Sequence, residues 1–221
     1  LLNVHHTVKG YEAAGVTAIQ LEDQEFPKKC GHTPGRRVIP MEEMARKIRV
    51  AVESRASRDF LVIARTDART ALGLDEALRR GEAYARAGAD VLFIESPESE
   101  AEMRAIGRAF DLPLVANMVE KGRTPVLAKA DLESLGFRLA IFPIAAMLAS
   151  VKAMAGVYGP LKATGSTAGG PLGTSGRAPG VNTRTRSARS ESITNMTTYF
   201  GGVPRAGLGA SPATTSAALV S

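Results

Sequence analysis

Polar side chains end four of the short apolar segments in this sequence of 221 residues. These four residues are Glu22, Arg65, Glu95 and Asn117. A charged or amide group costs several kcal/mol when it is buried without a partner. We therefore expect the four side chains to face a shared polar centre and not the apolar core.

The types of these side chains suit the binding of a small dianion together with a metal ion. Glu22, Glu95 and the neighbouring Asp23 offer the hard oxygen ligands that Mg²⁺ prefers. Arg65 provides paired N–H donors for a carboxylate or a phosphate, and Asn117 can hydrogen-bond a substrate oxygen without adding charge. Any one of them alone is more often an ordinary strand-to-loop residue, but four in succession favour a common site.

The loop after the first apolar segment carries the only cysteine of the chain. Cys30 follows Lys28 and Lys29 and precedes His32, an electropositive setting that suits a thiol to proton transfer or nucleophilic attack. Gly31, beside it, lets the backbone approach a ligand closely. A lone cysteine is more often a buried core residue, but charged neighbours on both sides favour a reactive one here.

Alternating strands and helices must position these groups. The apolar segments predict strands at 17–22, 60–65, 90–95, 112–117 and 138–143. Helical patterns between them cover 41–55, 74–87, 99–110 and 129–135. Near-continuous apolar runs of this length are typical of strands covered on both faces, and their alternation with helices predicts a parallel sheet.

Helix ends are marked by specific residues. Ser99 and Glu102 have the spacing of a capping box, and Gly88 and Gly136 lie where a helix ends in a left-handed turn. The carboxyl ends of the predicted parallel strands would lie at one edge of the sheet. This is the edge at which a (β/α)8 barrel builds its active site. We therefore expect the four polar side chains to meet at one mouth.

The composition changes near Thr164. Residues 165–221 carry five arginines and one glutamate, whereas residues 1–164 carry 23 basic and 21 acidic side chains. The segment 165–221 is rich in Gly, Ser, Thr and Arg and is predicted to be a disordered tail. Because the folded part is nearly neutral, the positive net charge does not predict a nucleic-acid-binding face; contact of nucleic acid with the tail arginines is the last-ranked hypothesis.

Several classes of protein are excluded by simpler features. A single cysteine allows no intrachain disulfide and no zinc site built on cysteines. The longest apolar run, 139–151, contains Pro143 and is shorter than the roughly 20 residues that a membrane helix needs. The first residues lack the features of a signal peptide, so we expect a cytoplasmic protein without membrane contact.

At the strand ends and in the loop that carries Cys30, the chain resembles the isocitrate lyase and phosphoenolpyruvate mutase superfamily. The most specific segment is Lys28-Lys29-Cys30-Gly31-His32, which is similar to the gating loop of that superfamily and follows Leu21-Glu22-Asp23-Gln24. Further similar segments are 64–68, 93–95 and 116–125, which match later strand ends in the same order. The resemblance covers about residues 1–163.

The resemblance implies a fold, a reaction and a set of residue roles. The fold is α/β, with residues 1–164 as the C-terminal part of a (β/α)8 TIM barrel, about five βα units, before the tail. The reaction is cleavage or formation of a carbon–carbon bond through an enolate of a 2-oxo acid, with Mg²⁺, or Mn²⁺ in its place. The implied roles are catalytic for Cys30, Lys28 and His32, substrate-binding for Gly31, Arg65, Glu95 and Asn117, and metal-binding for Glu22.

The loop cysteine favours one branch of the superfamily. It resembles the carbon–carbon lyases that act on methylisocitrate or dimethylmalate, substituted malate-type 2-hydroxy dicarboxylates. Residues 144–148 lack the arginine that methylisocitrate lyases usually place after the proline matching Pro143, which favours a malate-like dicarboxylate. An oxaloacetate decarboxylase-like or carboxyphosphonoenolpyruvate mutase-like enzyme is the alternative.

The resemblance also predicts what this chain lacks. Five strands cannot close an eight-stranded barrel, so about three preceding βα units are expected to be missing, including an Asp-x-Asp segment that supplies most of the metal ligands in the superfamily. An inactive fragment is therefore a further hypothesis. Full-length members usually form homotetramers that exchange a C-terminal helix, so a homo-oligomer is the expected assembly.

Overall fold

The computed structural model describes residues 1–30, 35–168 and 170–171, together with the backbone of 197–199 and 217–219. The described residues fall into two compact units. One lies within Leu1–Ile141 and Thr197–Ser221, and the other within Phe142–Met196.

Parallel strands form the centre of the first unit. They are β1 (Ala18–Glu22), β2 (Leu61–Thr66), β3 (Val91–Ile94), β4 (Leu114–Asn117) and β5 (Phe137–Ile141). Each strand pairs in parallel with the one that follows it in sequence, as in a segment of a (β/α)8 barrel. The predicted α/β fold with about five βα units is confirmed.

Two three-residue strands lie beside the edges of this sheet. Strand β6 (Thr197–Tyr199) pairs antiparallel with β5, and β7 (Ala217–Leu219) pairs parallel with β1. Both belong to the segment for which a disordered tail is predicted. Most of 165–221 lies outside the described residues, so disorder of this segment and the boundary at 164 stay predictions.

Helices alternate with the strands, and those at 41–54, 74–86, 100–109 and 129–134 correspond to predicted helices. In the first unit they are α1 (Leu2–Ala13), α2 (Met41–Ser54), α3 (Ala68–Leu72), α4 (Leu74–Arg86), α5 (Glu100–Ala109) and α6 (Lys129–Ser134). The second unit contains α7 (Ala145–Thr164), which is not among the predicted helices. Among the described residues, no helix combines the length and apolar character needed to span a membrane.

The predicted helix signals are present in the structure. Ser99 Oγ accepts a hydrogen bond from the Glu102 backbone nitrogen at 3.2 Å, whereas the Glu102 carboxylate accepts from the backbone nitrogen of Glu98 at 2.8 Å. The capping box is therefore formed in one direction and displaced by one residue in the other. Gly88 and Gly136 have φ values of +100° and +94°, which glycine adopts without the steric cost of a Cβ atom.

The core lies on both faces of the sheet. Every residue of β3 is buried, as expected for a parallel strand covered on both sides. One apolar cluster joins side chains from four adjacent strands: Ala18, Ile63, Val91, Phe93 and Val115. This packing holds the carboxyl ends of β1 to β4 in fixed register, and the candidate site is built there.

Candidate active site

Arg65, near the carboxyl end of β2, contacts carboxylates from three consecutive strand ends. Its Nε lies 2.9 Å from Asp67 Oδ2 and 3.3 Å from Glu22 Oε2. Its Nη2 donates to Asp67 Oδ1 at 3.0 Å, and its Nη1 lies 3.4 Å from Glu95 Oε2. The guanidinium also lies 4.9 Å from the centroid of the Phe93 ring. The predicted meeting of Glu22, Arg65 and Glu95 is present in the structure.

The electrostatics of this group follow from burial and pairing. Burial lowers the pKa of Arg65, but Glu95 and then Asp67 raise it by more, so its pKa lies above the usual value. Burial raises the pKa of Asp67, but hydrogen bonds from Arg65 and its charge outweigh burial and leave that pKa lowered. Asp67 and Arg65 therefore form a pair in which both groups are charged at neutral pH.

Glu22 is held between two cations. Lys28 Nζ lies 3.0 Å from Glu22 Oε1, and the Glu22 side chain is only 5% exposed. Burial raises the pKa of Glu22, and the charges of Arg65 and Lys28 oppose this shift without cancelling it. Lys28 therefore points from the loop toward the strand ends.

Asn117 extends the site to β4. Its Nδ2 lies 3.3 Å from both carboxylate oxygens of Glu95, while its Oδ1 is buried and has no hydrogen-bond partner among the described residues. Ser96 Oγ donates to Glu95 Oε1 at 3.0 Å, from a residue with a φ of +59°. The Asn117 amide thus donates to the site's carboxylate and leaves an acceptor available for a ligand.

Asp23 does not join this group, although it follows Glu22 directly. Its Oδ2 accepts hydrogen bonds from Thr66 at 2.8 Å, Arg80 at 2.9 Å and Tyr84 at 2.7 Å. Its Oδ1 accepts from the backbone nitrogen of Asp67 at 2.9 Å. Three of these four donors converge on Oδ2, so Asp23 belongs to a separate hydrogen-bond network, and its expected contribution to a metal site stays a prediction.

The loop that carries Cys30 has an antiparallel stem. Gln24 pairs with Val38, and the Gln24 side chain exchanges two hydrogen bonds with the Lys29 backbone, at 2.9 and 3.0 Å. The Lys29 ammonium donates to the Gly35 carbonyl at 3.0 Å and so spans the loop. Cys30 is exposed.

Two predicted site residues are not described. Gly31 and His32 lie outside the described residues, so their substrate-binding and catalytic roles stay predictions. The catalytic role of Cys30 likewise stays a prediction, since its thiol is placed by the loop and not by a hydrogen bond to the strand ends in the described part of the chain.

The described residues offer only part of a donor set for a magnesium ion. No three His, Cys, Asp or Glu side chains within the described ranges form a group that could hold a metal ion. Glu22, which is paired with Lys28 and Arg65, offers one carboxylate, whereas Asp23 accepts hydrogen bonds from four other donors. The described residues therefore fit one position of a Mg²⁺ shell and do not form a complete site.

Sequence reasoning missed the roles of Asp67 and Arg36. Asp67 stands two residues after Arg65, a spacing that could have indicated a local pair. Arg36 is fully buried against Asp67, whereas the next residue, Arg37, is 79% exposed. The sequence alone does not indicate which of the adjacent residues Arg36 and Arg37 is buried.

Comparisons with known proteins agree with this arrangement. Residues 2–159 match the sequence profile of the family named phosphoenolpyruvate phosphomutase. The 2,3-dimethylmalate lyase of Eubacterium barkeri is 53% identical over 168 residues, which cover 76% of this chain and 58% of that protein. The 2-methylisocitrate lyase of Bacillus subtilis is 42% identical over 166 residues, covering 75% and 54%. The chain thus spans little more than half the length of these relatives.

A solved structure supports the same relationship. Phosphonopyruvate hydrolase in complex with oxalate and Mg²⁺ superposes with a TM-score of 0.61 and 37% sequence identity. The superposition covers 75% of this chain and 57% of that protein. At this level of identity, both the fold and the family relationship are shared.

Proposed function

Because the chain belongs to the phosphoenolpyruvate phosphomutase family, we propose that its site serves a Mg²⁺-dependent carbon–carbon lyase. The substrate class is a substituted malate-type 2-hydroxy dicarboxylate such as dimethylmalate or methylisocitrate. The observation that carries the proposal is the contact of Arg65 with Glu22 and Glu95 across three strand ends, next to the loop with Cys30. The 53% identity to a dimethylmalate lyase supports the malate-like class.

Charge balance supports a dianionic substrate that enters with a divalent cation. Three cations and three carboxylates surround the site: Lys28, Arg36, Arg65, Glu22, Asp67 and Glu95. Their formal charges cancel. A dicarboxylate alone would add two negative charges to a largely buried group, which is costly, whereas a dicarboxylate with Mg²⁺ leaves the sum at zero. Bound Mg²⁺ would supply positive charge for oxygen atoms that become negative during the reaction.

Arg65 would bind a substrate carboxylate through one edge only. Its Nε and Nη2 already donate to Asp67, and its Nη1 lies 3.4 Å from Glu95 Oε2, so a ligand at the edge formed by Nη1 and Nη2 would share Nη1 with Glu95. The buried Asn117 Oδ1, which has no partner, would accept a hydrogen bond from the 2-hydroxyl group. These two contacts would orient the dicarboxylate before the bond breaks.

Cleavage of such a substrate requires two proton transfers. The 2-hydroxyl group gives its proton to solvent, the C2–C3 bond breaks, and C2 becomes the carbonyl carbon of a 2-oxo acid. The electron pair stays on C3 beside the second carboxylate, and we propose that the Cys30 thiol donates a proton to C3 as general acid. The released proton balances the one that the Cys30 thiolate takes back from solvent after each turnover. For this substrate class the enolate-type intermediate therefore belongs to the departing acid, and not to the 2-oxo acid as the resemblance first implied.

A second candidate function is ligand binding without turnover, as in an inactive fragment. It is favoured by one observation: the described residues contain no group of three His, Cys, Asp or Glu side chains that could hold a metal ion. A decarboxylase-like or mutase-like reaction at the same site is the third candidate. The 37% identity to phosphonopyruvate hydrolase supports its phosphonate branch.

The test is release of pyruvate from 2,3-dimethylmalate, 2-methylisocitrate and oxaloacetate, followed with lactate dehydrogenase and NADH. Magnesium-dependent release from a substituted malate supports the lyase, and release from oxaloacetate alone supports the decarboxylase-like alternative. Binding of oxalate with Mg²⁺ but no release of pyruvate supports binding without turnover. Absence of both binding and release contradicts the proposed function. Light scattering of the same sample tests the proposed homotetramer.

A further inference from the structure

Asp67 is a buried carboxylate that binds two arginines from different segments. Arg65 donates from Nε to Oδ2 at 2.9 Å and from Nη2 to Oδ1 at 3.0 Å. Arg36, which follows Cys30 in the loop, donates from Nη1 to the same Oδ1. The side chains of Arg36 and Asp67 are both fully buried. One carboxylate therefore fixes a guanidinium of the site and a guanidinium of the loop.

Arg36 has one further contact with the segment after β2. Its Nη2 donates to Thr70 Oγ1 in α3, while its Nε is buried and finds no hydrogen-bond partner in the part of the chain that the structure describes. A buried cation depends on its paired anion, because an uncompensated buried charge is strongly unfavourable. Asp67 and Thr70 therefore fix the position of Arg36 and, with it, the second half of the loop.

The first half of the loop is connected to the same guanidinium by another route. Lys28 Nζ lies 3.0 Å from Glu22 Oε1, and Glu22 Oε2 lies 3.3 Å from Arg65 Nε. Ion pairs therefore lead to Arg65 from both sides of Cys30, through Glu22 before it and through Asp67 after it. Arg65 itself lies in β2, outside the loop.

We propose that Asp67 is a positioning residue for Arg65 and that, through Arg36, it couples the placement of this guanidinium to the loop that carries Cys30. The importance of this coupling for substrate binding rests on the proposed function. The coupling itself is a property of the ligand-free chain. The competing explanation is that Asp67 and Arg36 form an ordinary stabilising ion pair with no effect on Arg65.

Hydrogen exchange of the full chain distinguishes these explanations. The readout is the exchange of the stem amides of Glu25, Lys29 and Ile39, which donate hydrogen bonds within the loop base. Arg36→Lys and Arg65→Lys both retain charge but lose the fork of parallel donors. We expect each to speed stem exchange by about tenfold, since local opening reports local stability. The matched control is Arg37→Lys, which changes an exposed arginine paired with Glu25 and should leave exchange within about twofold.

Faster stem exchange in Arg65→Lys is the decisive result, because that change lies outside the loop. Acceleration in Arg36→Lys alone, or equal acceleration in peptides throughout the protein, would overturn the coupling in favour of an ordinary stabilising pair. If Arg36→Lys does not fold, as judged by circular dichroism, Thr70→Val removes the Nη2 partner without disturbing the buried charges. A smaller acceleration is then expected, and an unchanged rate overturns the coupling.

Oxalate affinity in the presence of Mg²⁺ links the coupling to function. Arg36→Lys should weaken oxalate binding about tenfold, a size typical of coupling between sites. This is expected although Arg36 does not face the ligand edge of Arg65. If the unmodified chain does not bind oxalate, the proposed function fails while the exchange experiment still decides the coupling. Binding that is unchanged in Arg36→Lys contradicts the positioning of Arg65 through Asp67.

Discussion

The Lys28 ammonium lies 3.0 Å from the Glu22 carboxylate and thereby places a loop cation beside the one carboxylate that offers a metal position. Glu22 is almost fully buried, and burial raises its pKa despite the charges of Arg65 and Lys28. A metal that binds the ionised carboxylate must therefore compete with a proton. Lys28 favours the ionised form of Glu22 and so shifts this competition toward the metal.

Replacing Lys28 by methionine should move the pH midpoint of Mg²⁺ binding upward. Without the ammonium group, the pKa of Glu22 rises further, so a higher pH is needed to ionise the ligand. The midpoint is measured by calorimetric titration with MgCl₂ over a pH series. Lys29→Met is the matched control, because Lys29 donates to the Gly35 carbonyl and not to a carboxylate. A midpoint shifted equally by both substitutions would contradict the role given to Lys28.

Replacing Cys30 by serine should abolish turnover while leaving Mg²⁺–oxalate binding intact. Positioned general acids contribute about 10² to 10⁴ in rate, and serine is a much weaker acid than cysteine at the same place. The measurement is kcat for pyruvate release beside calorimetric binding of oxalate. An unaffected kcat would remove Cys30 from the proton transfer, whereas a parallel loss of binding would indicate a positioning effect of the loop.

Replacing Asp67 by asparagine should destabilise the fold at neutral pH by about 3 to 5 kcal/mol, because it leaves the buried Arg36 without its paired anion and removes one of the three carboxylates around Arg65. The pKa of Asp67 is lowered in the folded state, burial being outweighed by Arg65 and Arg36. Its contribution is therefore present above the unfolded-state pKa and is lost as the pH falls through the folded-state pKa.

Urea unfolding at neutral pH and in acid tests this prediction. The difference in free energy of unfolding between the original chain and Asp67→Asn should shrink as the pH falls below the ordinary range for aspartate. A difference that stays constant over the whole pH range would show that the carboxylate charge is not what stabilises this position.

Two glycines within helices should respond to alanine in opposite directions. A Cβ atom at Gly107 in α5 would lie 1.7 Å from the Leu135 carbonyl oxygen, so backbone must move. Gly107→Ala should cost about 1 to 3 kcal/mol as overpacking. A Cβ atom at Gly10 in α1 would meet no other atom within 4 Å, so Gly10→Ala should stabilise by about 0.5 to 1 kcal/mol. Thermal and urea unfolding of both variants measure these changes.

Local patterns predicted the architecture well. The strands β1 to β5 and the helices α2, α4, α5 and α6 begin and end within three residues of their predicted bounds. These elements depend on apolar periodicity and on end signals such as Ser99 and Gly136, which act over a few residues. Helix α7 was not predicted, because Gly156, Gly159 and Pro160 interrupt the helical pattern of the sequence. The chain is nevertheless helical there.

The sequence predicted part of the membership of the candidate site but not its contacts. Glu22, Arg65, Glu95 and Asn117 do lie together, because the carboxyl ends of adjacent parallel strands meet at one edge. The sequence did not indicate that Asp67 occupies two donors of Arg65. The edge that remains for a ligand is therefore known only from the structure.

By itself, the sequence determined which segments are strands and helices, which polar groups end them, and which family they resemble, since all of these depend on order along the chain. Only the tertiary structure decided the partners. Asp23 binds Arg80 and Tyr84, about 60 residues away in sequence, while its neighbour Glu22 joins Arg65. Successive side chains of a strand face opposite sides of the sheet. Which cation each side chain meets there depends on how distant segments of the chain pack.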